Sequence, residues 1–371
     1  MRKRNHLLFV FRSLGTGGAQ KIQAFVANAC VKKGYEVTIL SLSEKKCTLD
    51  IDPSINVMTL DYDKVALSKE NPIKYLLNRL KYLLRYRKKV KNINPDVVIV
   101  FLIDIVRLTV LSLKGTGYPI IGSERADPSQ FKISKIRQYN NALNKCVGVV
   151  YQLKEAANYY NIKPKVVQEV IPNPAIARNT NEKFGINQND ELFIFGAGRL
   201  EKQKRFDLLI DAFNIVHKVH PEYRLKIYGD GPEMKMLKNQ VIHLKLLDYV
   251  DFMGDVRNIF QDTNDESIFV LSSDYEGIPN VITEALLNGV PCISTDCSPG
   301  GARLLLDNGK CGEIVQRSDA KELADAIIRY IENPSYAREK AKIGKRHIEK
   351  FNPEVIENKW LDFIERIIKN V

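Results

Sequence analysis

The stretch Gly-Ala-Gly-Arg-Leu-Glu-Lys-Gln-Lys-Arg-Phe-Asp, residues 196–207, follows the short apolar run Leu192 to Phe195 and leads into an apolar periodic segment beginning near Phe206. A buried run, a glycine-bearing turn and an amphipathic segment, in that order, spell strand, turn and helix. Arg199 and Lys204 are thereby expected at the C-terminal end of a strand, where open α/β sheets bind their ligands. A second stretch, Ser-Asp-Tyr-Glu-Gly-Ile-Pro-Asn-Val-Ile-Thr-Glu-Ala at residues 273–285, sets Glu276 and Glu284 eight positions apart across the start of another helix. Pro279 suits the first position of that helix, whose N-terminus favours an anion. Two cations and two spaced acids at strand ends suit an anionic diphosphate carrying hydroxyl-rich sugars, which is a nucleotide sugar. The bland alternative is a solvated basic loop beside a helix-capping glutamate.

Outward from these stretches, strand-like runs alternate with helix-like segments along the whole chain. That alternation predicts βαβ units and mostly parallel sheets. In the first half the strands read as His6–Phe11, Glu36–Leu42, Val57–Leu60, Val97–Leu102, Pro119–Gly122 and Gly148–Tyr151, with a helix over Ala19–Lys33. In the second half they read as Leu192–Phe195, Leu225–Tyr228, Val250–Met253, Ile268–Leu271 and Cys292–Ser294. Ile171-Pro172-Asn173-Pro174 reads as a hinge, because proline continues neither element. The expected domains are 1–172, which presents an acceptor, 173–352, which holds the nucleotide sugar, and a C-terminal helix over 353–371 that packs back on the first domain.

The 371 residues suffice for two such domains, and no apolar run approaches a membrane span. Six cysteines without paired or metal-like spacing predict reduced thiols and a cytoplasmic protein. The net charge of +12 is unevenly spread: residues 1–175 hold 29 Lys+Arg against 13 Asp+Glu, or +16, and the rest hold 27 against 31, or −4. Residues 72–91 form a basic amphipathic helix, with Ile73, Leu76, Leu77, Leu80, Leu83 and Leu84 on one stripe and Lys74, Lys81, Arg85 and Lys88 opposite. The default reading packs the leucine stripe inward and solvates the bases. Peripheral contact with an anionic membrane is the alternative, and the interleaved Tyr75, Tyr82 and Tyr86 suit such an interface.

Taken together, Gly-Arg-Leu-x4-Lys-x-Phe-Asp, Gly-Asp-Gly-Pro-Glu at 229–233 and Glu-Gly-x-Pro-x4-Glu-Ala resemble the retaining glycosyltransferases of the GT-B fold, family 4, the glycosyl transferases group 1. The resemblance implies two doubly wound Rossmann-like domains facing across a cleft. It implies that Arg199 and Lys204 bind the donor diphosphate, that Glu284 contacts the ribose and that Glu276 lies near the transferred sugar within the donor-binding phrase Gly277-Ile278-Pro279. It also implies base contacts at Val256, Arg257 and Asn258. In relatives a glutamate often stands three residues after the paired glycines, where this chain has Leu304.

Gly15-Thr-Gly-Gly-Ala-Gln20 follows the first strand and opens a helix, so the N–H groups near Gly17 and Gly18 are expected to meet the donor phosphate. A dinucleotide site is disfavoured, since a third glycine is absent and no acid ends the second strand before Glu44. Ser123-Glu124-Arg125 follows another strand and is expected to project outward, with Glu124 and Arg125 as acceptor-binding residues or, alternatively, a surface ion pair. Asp50-Ile-Asp52 and Asp61-Tyr-Asp63 spell a metal-holding tripeptide but lack supporting context, and the histidines lack ligand spacing. No metal or other cofactor is expected, and no nucleic-acid partner. The expected function is therefore a retaining hexosyltransferase using a UDP-sugar and a membrane-linked or glycan acceptor. A nucleotide-sugar epimerase, an inert sugar-nucleotide- or lipid-binding subunit and, last, a dehydrogenase are the rivals.

Overall fold

A computed structural model describes residues 6–15, 17–43, 47–60, 72–176, 191–256 and 258–370. The chain divides into two compact units, Met1–Pro174 with Glu354–Val371, and Ala175–Pro353.

In the first unit seven strands run parallel in the order β3-β2-β1-β4-β5-β6-β7. They are β1 (His6–Phe11), β2 (Glu36–Ser41), β3 (Asn56–Thr59), β4 (Val97–Phe101), β5 (Ile120–Glu124), β6 (Gly148–Tyr151) and β7 (Val167–Val170). The helices are α1 (Gly18–Lys32), α2 (Pro72–Ile93), α3 (Ile103–Ser112), α4 (Ile133–Leu143) and α5 (Lys154–Ala157). Every residue of β1 and β4 is buried, because helices cover both faces of a parallel sheet and its strands read as unbroken apolar runs. The pleat sends Leu7, Phe9 and Phe11 into one core and Leu8 and Val10 into the other.

In the second unit six parallel strands follow the order β10-β9-β8-β11-β12-β13. They are β8 (Phe193–Ala197), β9 (Arg224–Tyr228), β10 (Val250–Gly254), β11 (Ile268–Leu271), β12 (Cys292–Thr295) and β13 (Glu313–Val315). Among the described residues six α-helices accompany them: α6 (Phe206–His217), α7 (Met234–His243), α8 (Asn280–Leu287), α9 (Gly301–Leu305), α10 (Ala320–Glu332) and α11 (Pro334–His347). The chain then forms α12 (Pro353–Asn370), which from Glu354 onward belongs to the first unit. There Trp360 is fully buried and stacks on Phe101, with ring centroids 5.2 Å apart.

Three sequence expectations change. The edge strands β7 and β13 are additional: the first alternates buried and open positions through Val-Gln-Glu-Val, and the second is only Glu-Ile-Val, so neither forms an apolar run. Pro279 caps α8 rather than opening it. The third change concerns α2, whose inward face is not the leucine stripe. Tyr86 and Val90 are fully buried and Tyr82 packs against the same core, while Leu76, Leu77, Leu80 and Leu84 are exposed. The Tyr86 hydroxyl, 2.8 Å from Thr109 Oγ1 on α3, fixes that rotation.

Candidate functional site

Three strand ends meet in the second unit. The loops leaving β8, β9 and β10 are zipped by main-chain bonds: Gly198 N–H donates to Tyr228 O (3.0 Å), Leu200 N–H to Asp230 O (3.0 Å) and Gly229 N–H to Gly254 O (2.7 Å). This approach depends on glycine, since a Cβ on Gly229 would lie 2.0 Å from the Gly198 carbonyl oxygen. The Gly-Asp-Gly-Pro-Glu motif thus shapes the floor of a site. Above it lies a pocket of about 390 Å³ lined by Gly198, Arg199, Gly229, Asp255, Val256 and Val281, among others. It sits at the edge where α/β sheets take ligands. A larger cavity of about 650 Å³ in the first unit, near Asp96, Tyr118 and Lys145, lies at the N-terminal ends of β4–β6, the opposite kind of edge.

Arg199 reaches this pocket with a side chain 71% exposed and pairs with Glu201 at 3.1 Å. Lys204 runs beneath Gly198, where a Cβ would come within 3.2 Å of the lysine Cε. Its ammonium forms a short ion pair with Glu276, and Ser273 Oγ donates to the same carboxylate oxygen at 2.9 Å. Around that pair the two distant sequence stretches become one structure. Gln203 Nε2 donates to Tyr275 O at 2.6 Å, Asp274 N–H to Gln203 O at 2.9 Å, and Ser272 Oγ to Lys204 O at 2.7 Å. Arg205 adopts a left-handed conformation (φ 50°) at the cap of α6 and binds both Asp207 and Asp274. The sequence reading passed over Gln203, Ser273 and Asp274. Their signal was position, since each lies inside one of the two motif phrases and beside a residue already singled out.

The other expected donor residues divide. Val256 joins Arg199 in the pocket. Ile278 and Glu284 are buried, and the Asn258 side chain accepts from Phe260 N–H at 3.3 Å. Gly277 lies so close to the start of α9 that a Cβ on Gly301 would fall 1.8 Å from its carbonyl oxygen. Arg257 lies outside the described residues. In the first unit Gly17 is the N-cap of α1 and Gly18 its first residue.

Glu124 and Arg125 are not a surface pair. Both are buried, and the Arg125 guanidinium lies over Phe101 and Trp360, 4.9 and 5.3 Å from their ring centroids. Arg125 donates to Ser123 Oγ (2.8 Å), Ile171 O (3.3 Å) and Asn173 Oδ1 (3.2 Å), which with its stacking on Trp360 ties β5 to residues 171–173 and α12. Desolvation drives its pKa down to about 9, against the opposing charge of Glu124. Burial likewise drives Glu124 up to about 7, although Tyr160 OH (2.6 Å) and Ala126 N–H (2.8 Å) donate to it.

Asp52 closes a local turn by accepting from Ser54, whose hydrogen bonds lower its pKa. Asp61 and Asp63 lie outside the described residues. Among the described residues no group of three His, Cys, Asp or Glu side chains is placed to hold a metal ion.

A family model for glycosyl transferases group 1 matches residues 177–348, and one for glycosyl transferase 4-like proteins matches residues 20–125. The chain is a group 1 glycosyltransferase. The second match places the weakly patterned N-terminal half in the same enzyme class. This glycosyltransferase is 25% identical, over 97% of its length and 98% of the relative's, to a Campylobacter jejuni α-1,4-N-acetyl-D-galactosaminyltransferase whose name gives a PP-undecaprenol-linked GalNAc glycan as acceptor. Its fold is GT-B. It is similar to sucrose-phosphate synthase from Thermosynechococcus elongatus, with a TM-score of 0.80, 16% identity, and 99% and 100% of the two chains covered. It is also similar to Anabaena HepE in complex with UDP, with a TM-score of 0.76, 18% identity, and 97% and 99% covered.

Proposed function

We propose that this glycosyltransferase moves a sugar from a UDP-sugar, with retention at the anomeric carbon, to a hydroxyl of a membrane-linked or polysaccharide precursor. The observation that carries the proposal is the preassembled Lys204–Glu276 pair behind Gly198, next to the pocket that Arg199 lines. The UDP bound by HepE and the lipid-linked acceptor named for the Campylobacter relative add support.

In this reading the exposed Arg199 fork and the Lys204 ammonium meet the diphosphate as the C1–O bond breaks. Preorganised cations lower a barrier where negative charge develops. Glu276, held by Ser273 and Lys204, accepts from hydroxyls of the sugar, and Glu284 accepts from the ribose diol. Gly277, Ile278 and Pro279 carry the loop, and Val256, Arg257 and Asn258 meet the base. The acceptor oxygen forms the new bond from the leaving-group side, and its proton passes to the departing phosphate oxygen. Two cationic side chains supply the charge that a divalent ion would otherwise bring, so we take the reaction to need no metal. Work at a cytoplasmic membrane surface would suit such an acceptor.

Incubation with UDP-sugars and a polyprenyl-diphosphate-linked glycan should give a product whose new linkage keeps the donor's anomeric configuration by NMR. Arg199→Ala should lower kcat roughly 10²–10³-fold. An inverted product, or unchanged turnover in Arg199→Ala, would overturn the proposal. Sugar conversion without any acceptor would favour an epimerase.

A further inference from the structure

We propose that α2 is a membrane-docking element that lays its outward leucine face on an anionic lipid surface. Its inward face is the row Tyr82, Tyr86 and Val90, so the row of leucines is left to solvent. Leu76 is 66% exposed, Leu77 and Leu80 54% each, and Leu84 57%. Large apolar side chains grouped in this way on a monomer's surface mark an interaction site. At 100° per residue these four leucines span one sector of the outward face, and Lys81, Arg85 and Lys88, all exposed, occupy the adjoining sector.

Charge identifies the occupant. The helix carries eight basic residues and no acidic one. Among the described residues Lys81, Arg85 and Lys88 form no ion pair. A soluble protein partner or a second copy of this chain would have to bring acids to meet that sector, and a second copy would bring the same bases. A bilayer with anionic headgroups meets both sectors at once, with acyl chains against the leucines and phosphates against the bases. No helix among the described residues is long and apolar enough to cross a membrane. Because β3 and β4 are parallel, the helix between them runs back from the C-terminal to the N-terminal strand ends, and its leucine-bearing half lies toward the ligand-binding edge of that sheet.

The inference concerns α2 alone and stands apart from the sugar chemistry, so the test uses neither donor nor acceptor. The full-length protein should sediment with vesicles of equal parts phosphatidylcholine and phosphatidylglycerol and remain free with phosphatidylcholine alone. Rising salt should release it. The triple variant Leu77→Ser, Leu80→Ser, Leu84→Ser should weaken that binding by about a hundredfold or more. The matching Leu→Ile variant should bind as the parent does. Both should stay close to the parent's melting temperature, because each of these residues is more than half exposed. Binding of the Ser variant equal to the parent's overturns the proposal, as does a failure of the parent to bind. A dimer by light scattering that the Ser variant dissociates, without vesicle binding, assigns the face to self-association and overturns it as well.

Discussion

Arg125 in the first unit and Lys204 in the second both sit just past the C-terminal end of a parallel strand, and each has a glutamate close by. The fold treats them in opposite ways. Arg125 is enclosed, with its plane against two aromatic rings, Nε donating to a serine and Nη1 to a backbone carbonyl and an asparagine. Lys204 keeps 19% of its side chain open beside an exposed Arg199, and its bonding partner is a single carboxylate. A cation enclosed by protein on every side holds the fold. One held by an acid at a pocket's edge can exchange that acid for an anionic ligand.

The sharpest break of this comparison is to delete each cation. Arg125→Ala should destabilise the first unit by about 3–5 kcal/mol, since it empties a buried site and removes the donor that Ser123, Ile171 O and Asn173 share. Arg125→Met should recover part of that loss by refilling the volume between Phe101 and Trp360. Trp360 is the sole tryptophan and lies in this core, so its fluorescence in a urea titration reads the first unit directly. Lys204→Ala should leave that transition unmoved and lower kcat roughly 10²–10³-fold. Equal losses of stability from the two deletions would erase the distinction.

A smaller effect belongs to Glu124, the buried glutamate beside Arg125. Glu124 titrates near 7 because burial opposes its charge, whereas a carboxyl in the unfolded chain titrates near 4.5. The folded state therefore binds the proton more tightly, and the stability this gives is fully present below 4.5 and is lost as pH rises through 7. Glu124→Gln should remove that decline, flattening the pH 5–8 stability of the first unit by up to about 3 kcal/mol. The same Trp360 titration, run across that range, checks it. A slope as steep in the variant as in the parent would assign the pH response to another group.

How far the sequence discloses all this follows from what each signal measures. The central strands are legible because burial on both faces leaves unbroken runs such as Val-Val-Ile-Val-Phe. The donor-side loops are legible because close backbone approach demands glycine at fixed places, as at Gly229 and Gly301. Periodicity says less about α2. It carries two apolar rows at 3-4 spacing, one of leucines and one running through Tyr82, Tyr86 and Val90, and spacing alone cannot say which row finds a partner. That choice rests on Thr109, a residue on another helix that offers the Tyr86 hydroxyl its bond. Arg125 is opaque for the same reason, since its cover comes from Trp360, more than two hundred positions away in the chain.

The smallest effect concerns how α12 is held. Arg366 on that helix reaches Glu169 on β7 at 2.7 Å, joining the same elements of the first unit that Arg125 and Trp360 join from within. Both side chains are about half open, at 50% and 40% exposure, so water screens the pair and ordering two long chains offsets most of the attraction. Arg366→Ala should therefore cost less than about 1 kcal/mol in the Trp360 titration, and less again in high salt. A double-mutant cycle with Glu169→Ala should return a coupling of similar size. Were Arg366→Ala as damaging as Arg125→Ala, α12 would be anchored by its rim rather than by its buried aromatic face, and burial would no longer be what distinguishes a structural cation from a functional one.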